Sequence, residues 1–183
     1  MNNLIKHLAL MALLTVSASA VSLEVGDKAP AFNLQATDGK TYSLEQFVGK
    51  QAIVIAWYPK AFTSGCTVEC KSLAQNGHLV KEYDVAYFMA SVDPIEENIA
   101  FAESTEADFP LLSDPSKEVA KAYDVLAFYG YPKRHTFYIG KEGKILMVDR
   151  DINPETSAED MAANLGQLGI PKVAELNAGL STP

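Results

Sequence analysis

Short, continuous apolar runs alternate along most of this chain with stretches whose apolar residues recur at helical spacing. Residues 52–58 (Ala-Ile-Val-Ile-Ala-Trp-Tyr) and 85–92 (Val-Ala-Tyr-Phe-Met-Ala-Ser-Val) carry almost no polar side chain. Runs of that length and composition predict strands covered on both faces. Residues 32–34 and 40–42 flank Thr37-Asp38-Gly39, a hairpin-type turn. Residues 135–139 and 145–148 pair across Gly140-Lys141-Glu142-Gly143 in the same way. Between the strands, Val68, Leu73, Leu79, Val80 and Tyr83 predict a helix over 67–83, and Asp93-Pro94 opens another that runs to about 102. Further helices are expected over 117–123 and 157–168, with a short capped turn at 43–47 closed by Gly49. The tail beyond Pro171 is weakly patterned. Strand–helix–strand alternation with a late hairpin predicts an α/β domain, a central mixed β-sheet flanked by helices on both faces.

The first twenty residues do not belong to that pattern. Lys6 lies in a short polar start, residues 8–16 form an apolar run, and Ala18-Ser19-Ala20 has the small-x-small form of a cleavage signal. The run is too short to span a bilayer. A signal peptide over residues 1–20, cut after Ala20, is expected, with residues 21–183 forming one domain exported to the periplasm. No internal repeat or low-complexity linker divides that domain.

Composition narrows the function. The chain is 48% hydrophobic and 21% charged, with a formal net charge of −8. It is acidic and has no basic run, which argues against a nucleic-acid partner or an anionic membrane surface. Two cysteines are present, Cys66 and Cys70. An oxidising compartment permits a disulfide, yet a bridge four residues long constrains the unfolded chain very little. The pair is therefore read as reactive. Cys66 follows a loop of proline, threonine and glycine where a helix is about to begin. Unpaired N–H groups and a partial positive charge at a helix start favour a thiolate, the nucleophilic form of cysteine.

The motif around Cys66 is specific. Pro59-x-x-x-Thr63-x-x-Cys66 resembles the active-site signature of peroxiredoxins, thiol peroxidases on a thioredoxin-like fold. Residues 58–69 are similar to the PrxQ, or bacterioferritin-comigratory-protein, branch, and the resemblance runs from about residue 25 to about residue 168. Far downstream, Arg134-His135-Thr136-Phe137-Tyr138-Ile139 resembles the strand that carries the family's active-site arginine. Glu69 falls where the family places a glutamate that orients this arginine. The resemblance implies that Cys66 attacks the peroxide and that Arg134 stabilises the thiolate and the developing charge. It implies that Thr63 aligns the peroxide, that Pro59 shields the sulfur and fixes the loop, and that Cys70 resolves the Cys66 sulfenic acid as a disulfide. In that branch a resolving cysteine on this helix usually lies five residues on; here it lies four on. No prosthetic group is expected, because electrons come from a thioredoxin-like or other thiol reductant. The substrates implied are hydrogen peroxide and organic hydroperoxides, admitted past a loop near 128–131. No feature specifies a dimer surface, so a monomer is expected.

A rival reading rests on the same cysteines. Cys66-x-x-x-Cys70 is also the spacing of Sco-type copper proteins, exported proteins of the same fold that add a distant histidine. Soft thiolates with imidazole suit copper. His78 and His135 are the histidines available beyond residue 20. His78 is expected more than two helical turns beyond Cys70. His135 neighbours Arg134 in a strand, where successive side chains face opposite ways. If Arg134 faces the sulfur, His135 does not. A metal-free redox sensor or holdase is the other alternative, whereas a thioredoxin-type oxidoreductase would need a C-x-x-C that the chain does not carry.

Overall fold

The structure, a computed structural model, describes residues 22–180. The expected signal peptide lies outside the described residues. Strands β1 (Asn33–Ala36), β2 (Thr41–Ser43), β3 (Ala52–Trp57), β4 (Val85–Ser91), β5 (Leu111–Ser113), β6 (His135–Ile139) and β7 (Ile145–Asp149) form one mixed sheet. Helices α1 (Ser64–Asn76), α2 (Ile95–Thr105), α3 (Glu118–Ala122), α4 (Ser157–Gln167) and α5 (Val173–Leu180) accompany it. The strand order is β2-β1-β5-β4-β3-β6-β7. At its centre β3 and β4 run parallel, with α1 as the crossover between them, while β6 lies antiparallel on the other side of β3. All six residues of β3 are buried, as its unbroken apolar run predicts.

The sheet separates two apolar cores. On one face Ile53, Ile55, Trp57, Phe88, Tyr123 and Phe137 pack together. On the other, Val54, Ala56, Tyr58, Met89, Phe101 and Leu111 surround Cys66 and Cys70. The alternation of side chains along β3 produces this division directly.

Several boundaries differ from the sequence reading. The first long helix is displaced: α1 begins at Ser64, three residues earlier than expected, and ends at Asn76 instead of continuing to residue 83. Gly77 is where it stops. A Cβ there would meet the Leu73 carbonyl oxygen and would sit 2.6 Å from the Tyr87 hydroxyl, so only glycine permits this close approach. The apolar spacing of Leu79, Val80 and Tyr83 belongs instead to a separate 3-10 turn, Val80–Glu82. His78 therefore does not share a helix with the cysteines; it is exposed in the connection that follows. Helix α2 runs on to Thr105 and is closed by Glu106 in the left-handed region, φ 57°. Strand β5 and helix α5 are additions that the pattern did not show.

Candidate active site

The sheet topology assembles the site. The loop after β3 and the start of α2 both lie at the carboxyl ends of adjacent parallel strands, where open α/β sheets place their ligand sites. Antiparallel pairing sets Trp57 opposite His135, which brings Arg134, one residue before β6, alongside the segment that follows Trp57. The approach to Arg134 is pinned by Lys133 N–H donating to the Val125 carbonyl (2.7 Å) and by a bridge between Leu126 and Pro132.

Cys66 is fully buried in the first turn of α1, with Thr63 at the N-cap position. The N–H groups of a first turn have no acceptor within their helix and present positive charge to this region. Arg134 adds to it: its Nη2 donates to the Cys66 sulfur at 3.2 Å. Its Nη1 pairs with Glu69 Oε2. Glu69 is fully buried, and its second oxygen has no protein partner. Arg134 is therefore the group that compensates this carboxylate, and the pair fixes the guanidinium plane beside the sulfur. Gly65 makes room for it, since a Cβ there would lie 3.3 Å from Arg134 Nη2. The sequence points to the backbone N–H near Gly65 as a donor to the leaving oxygen, and the close approach of Arg134 is an addition that the structure makes.

The remaining expected residues are also here. The Thr63 hydroxyl donates to the Lys60 carbonyl at 2.9 Å. It does not cap the helix, so its lone pairs remain available to accept a hydrogen bond. Pro59 is half-buried between fully buried Tyr58 and Lys60. The Tyr58 hydroxyl donates to Asn98 Oδ1 at 2.6 Å, a packing and anchoring role. Of the 128–131 loop, Phe128 is wholly exposed, while the Tyr131 ring lies 5.6 Å from the Lys60 ammonium. A groove of about 660 Å³ lined by Thr37, Asp38, Glu103 and Glu106 includes none of these residues.

Cys70 is fully buried and points elsewhere. Its sulfur lies 3.1 Å from Thr105 Oγ1 in α2. The Thr105 hydroxyl donates to the Phe101 carbonyl at 2.8 Å, so Cys70 S–H is the donor to Thr105. Burial pushes the Cys70 thiol from an ordinary 9.0 up to about 11. Both cysteines are free thiols.

This has a consequence for stability. Cys70 keeps its proton in the folded protein to about pH 11, whereas the unfolded chain releases it from about pH 9. Folding free energy is unaffected by this group below pH 9 and is lost progressively as pH rises from 9 to 11, reaching roughly 2–3 kcal/mol. The buried Tyr138 hydroxyl, pushed up to about 12 by desolvation, acts in the same direction. Thermal melts from pH 8 to 11 are expected to show falling Tm in the wild type and a shallower fall in Cys70→Ala; parallel curves would contradict the assignment.

The copper reading lacks its third ligand. His135 points into the opposite side of the sheet, among Leu23, Tyr123, Asp124 and Arg150. Burial, then Arg150 and Lys133, depresses its basicity. No group of three or more His, Cys, Asp or Glu side chains is placed to hold a metal ion among the described residues.

Comparison with known proteins bears on the same point. The model of the AhpC/TSA family matches residues 25–148. The chain belongs to the AhpC/TSA family. It is similar to Peroxiredoxin Bcp of Escherichia coli (strain K12), 37% identical over 130 residues, spanning 67% of this chain and 83% of that protein. It is also similar to Peroxiredoxin Bcp of Bacillus subtilis (strain 168), 33% identical over 133 residues, spanning 69% and 84%. The crystal structure of Peroxidoxin BcpB from Mycobacterium tuberculosis superposes with a TM-score of 0.71 at 28% identity, covering 79% of this chain and 97% of that one. The protein is thus a peroxiredoxin, a thiol-dependent peroxidase with the thioredoxin-like fold. A Sco-like copper protein is not supported.

Proposed function

We propose that Cys66 is the peroxidatic group of this peroxiredoxin and that Cys70 resolves it. The carrying observation is the Arg134 guanidinium, which donates to the Cys66 sulfur through one nitrogen and is held by buried Glu69 through another. An N–H aimed at sulfur favours negative charge there. The Cys66 thiolate attacks one peroxide oxygen; the O–O bond breaks, an S–O bond forms, and the other oxygen leaves as hydroxide or alkoxide and takes a proton. Arg134 and the first-turn N–H groups stabilise the charge that moves onto that oxygen. Thr63 accepts from the peroxide O–H, and Pro59 limits water at the sulfur. Hydrogen peroxide and organic hydroperoxides are the proposed substrates.

The product is Cys66 sulfenic acid. Cys70 then attacks its sulfur, forming the disulfide and releasing water. Residues four apart on a helix hold their Cβ atoms about 5–6 Å apart, whereas a disulfide draws them to about 3.8 Å. The first turns of α1 must therefore open, separating Cys70 from Thr105. A thioredoxin-like or other thiol protein reduces the disulfide. The leader pattern of residues 1–20 supports cleavage after Ala20 and a periplasmic site of action, where that reductant would be a thioredoxin-fold protein of the same compartment. The enzyme acts as a monomer in this reading.

Mass analysis of peroxide-treated protein tests the cycle. The wild type is expected to lose two hydrogens and resist thiol alkylation. Cys70→Ala is expected to react once, accumulate a sulfenic acid trapped by dimedone, and stop turning over with a thioredoxin-type reductant. Normal cycling of Cys70→Ala would overturn the role of Cys70.

A further inference from the structure

The loop of residues 58–63, which carries Pro59 and Thr63 and leads into α1, contains strain. Phe62, a bulky non-glycine residue, sits at φ 63° in the left-handed region. Such a conformation costs on the order of 1 kcal/mol or more and persists only where the surroundings hold it. The holding group is a side chain from outside the loop. Asp93 follows β4 and precedes α2, and it is 2% exposed. One of its oxygens accepts from the Ala61 N–H at 2.9 Å, and the other accepts from Lys60 Nζ at 3.2 Å. Asp93 is itself fixed: its own N–H donates to Ser91 Oγ at 3.1 Å, and its carbonyl accepts from Ser113 Oγ at 2.6 Å. Glu97 in α2 contributes a second carboxylate 3.3 Å from Lys60 Nζ, and the Phe62 ring packs edge-on against Phe101 at 5.3 Å.

We propose that Asp93 is a positioning residue for peroxide reduction: through Ala61 and Lys60 it sets the strained 60–63 loop so that Thr63 faces the peroxide site. The connection is short. Lys60, whose ammonium Asp93 holds, offers its carbonyl to the Thr63 hydroxyl, which fixes that hydroxyl's hydrogen and directs its lone pairs outward. Lys60 also lies against the Tyr131 ring, so the same anchor reaches the 128–131 loop. Asp93 does not touch the reacting atoms. Its removal therefore affects alignment of the peroxide and not the intrinsic reactivity of the Cys66 sulfur, which depends on Arg134.

The proposal rests on Cys66 being the peroxidatic cysteine. Its test compares two reactions of Cys66 in Asp93→Ala, Asp93→Asn and Lys60→Met, each in reduced full-length protein. The first is oxidation by hydrogen peroxide, and the second is alkylation by iodoacetamide, which needs no peroxide alignment. Misplacement of a positioning loop by about 1 Å costs on the order of 10²-fold in rate. Asp93→Ala is expected to lose about that much toward peroxide while its alkylation rate stays within a factor of about two. Asp93→Asn retains an acceptor for the Ala61 N–H and is expected to recover most of the loss, with Lys60→Met between the two. Equal changes in both reactions, or a peroxide rate unaltered in Asp93→Asn and Lys60→Met alike, would overturn the proposal. Should Asp93→Ala not fold, those two milder variants decide it. A wild type that reduces peroxide no faster than a free thiol would remove the peroxidatic assignment itself, and the role of Asp93 would fall with it.

Discussion

Cys66→Ser is expected to reduce peroxide at least about 10⁴-fold more slowly than the wild type, the order lost when an enzyme's nucleophile is removed. A serine hydroxyl at this position remains protonated near neutral pH and is a far weaker nucleophile than a thiolate. The Arg134 guanidinium beside the sulfur offers donors only. Fully buried Cys66 is replaced by a side chain of nearly equal size, so the fold and the Glu69–Arg134 pair are expected to persist. Stopped-flow measurement of peroxide consumption by reduced protein reads the difference. Activity retained in Cys66→Ser would move the chemistry to Cys70 and dismantle the assignment of roles.

The second large effect belongs to Arg134, and it separates into two measurable parts. Arg134→Ala removes a donor aimed at sulfur, and loss of one such donor costs about 10²–10³-fold in rate. It also strands fully buried Glu69, and breaking a buried ion pair by deleting one partner costs about 3–5 kcal/mol. The double variant Glu69→Gln/Arg134→Ala tells the two apart. Removing the stranded charge is expected to recover most of the stability and none of the rate. Arg134→Lys is expected to remain slow, because a single ammonium cannot reproduce the fork that reaches both Cys66 and Glu69. A rate unchanged in Arg134→Ala would show that sulfur activation does not depend on this guanidinium.

How far the sequence could be read followed from physical scale. Strands β3, β4, β6 and β7 are legible because each is a run of apolar residues long enough to have a pattern. Strand β5 is three residues after a proline, too short for periodicity to register. Helix α5, whose residues 173–178 are exposed, is eight residues long, too short for its apolar spacing to stand out. The end of α1 was placed too late because the spacing of Leu79, Val80 and Tyr83 continues a helical period that Gly77 interrupts. Within the site, Pro59, Thr63, Cys66, Glu69, Cys70 and Arg134 could be named from local motifs; the structure sets Arg134 against the Cys66 sulfur and Glu69 against Arg134, and it sets the Cys70 sulfur against Thr105. The room that Gly65 leaves for Arg134 and the anchoring by Asp93 could not be read that way. Their importance arises from the approach of Arg134 to a backbone and from the meeting of two strand ends, and neither leaves a trace in local sequence. The orientation of Cys70 toward Thr105 is likewise a tertiary fact, and it separates a thiol merely close in sequence from one ready to react.

The division of the interior by the sheet has a final consequence. The two cysteines share one core, while Trp57, the sole tryptophan, belongs to the other with Tyr123, whose ring lies 6.0 Å away. When α1 opens for disulfide formation, only the compartment beneath that helix has to loosen. On the proposed cycle the opposite compartment is expected to stay packed through oxidation and re-reduction, as a keel does. The proposed cycle thus needs a local opening and not global unfolding, and Trp57, packed with Tyr123, reports on the compartment that is expected to stay closed.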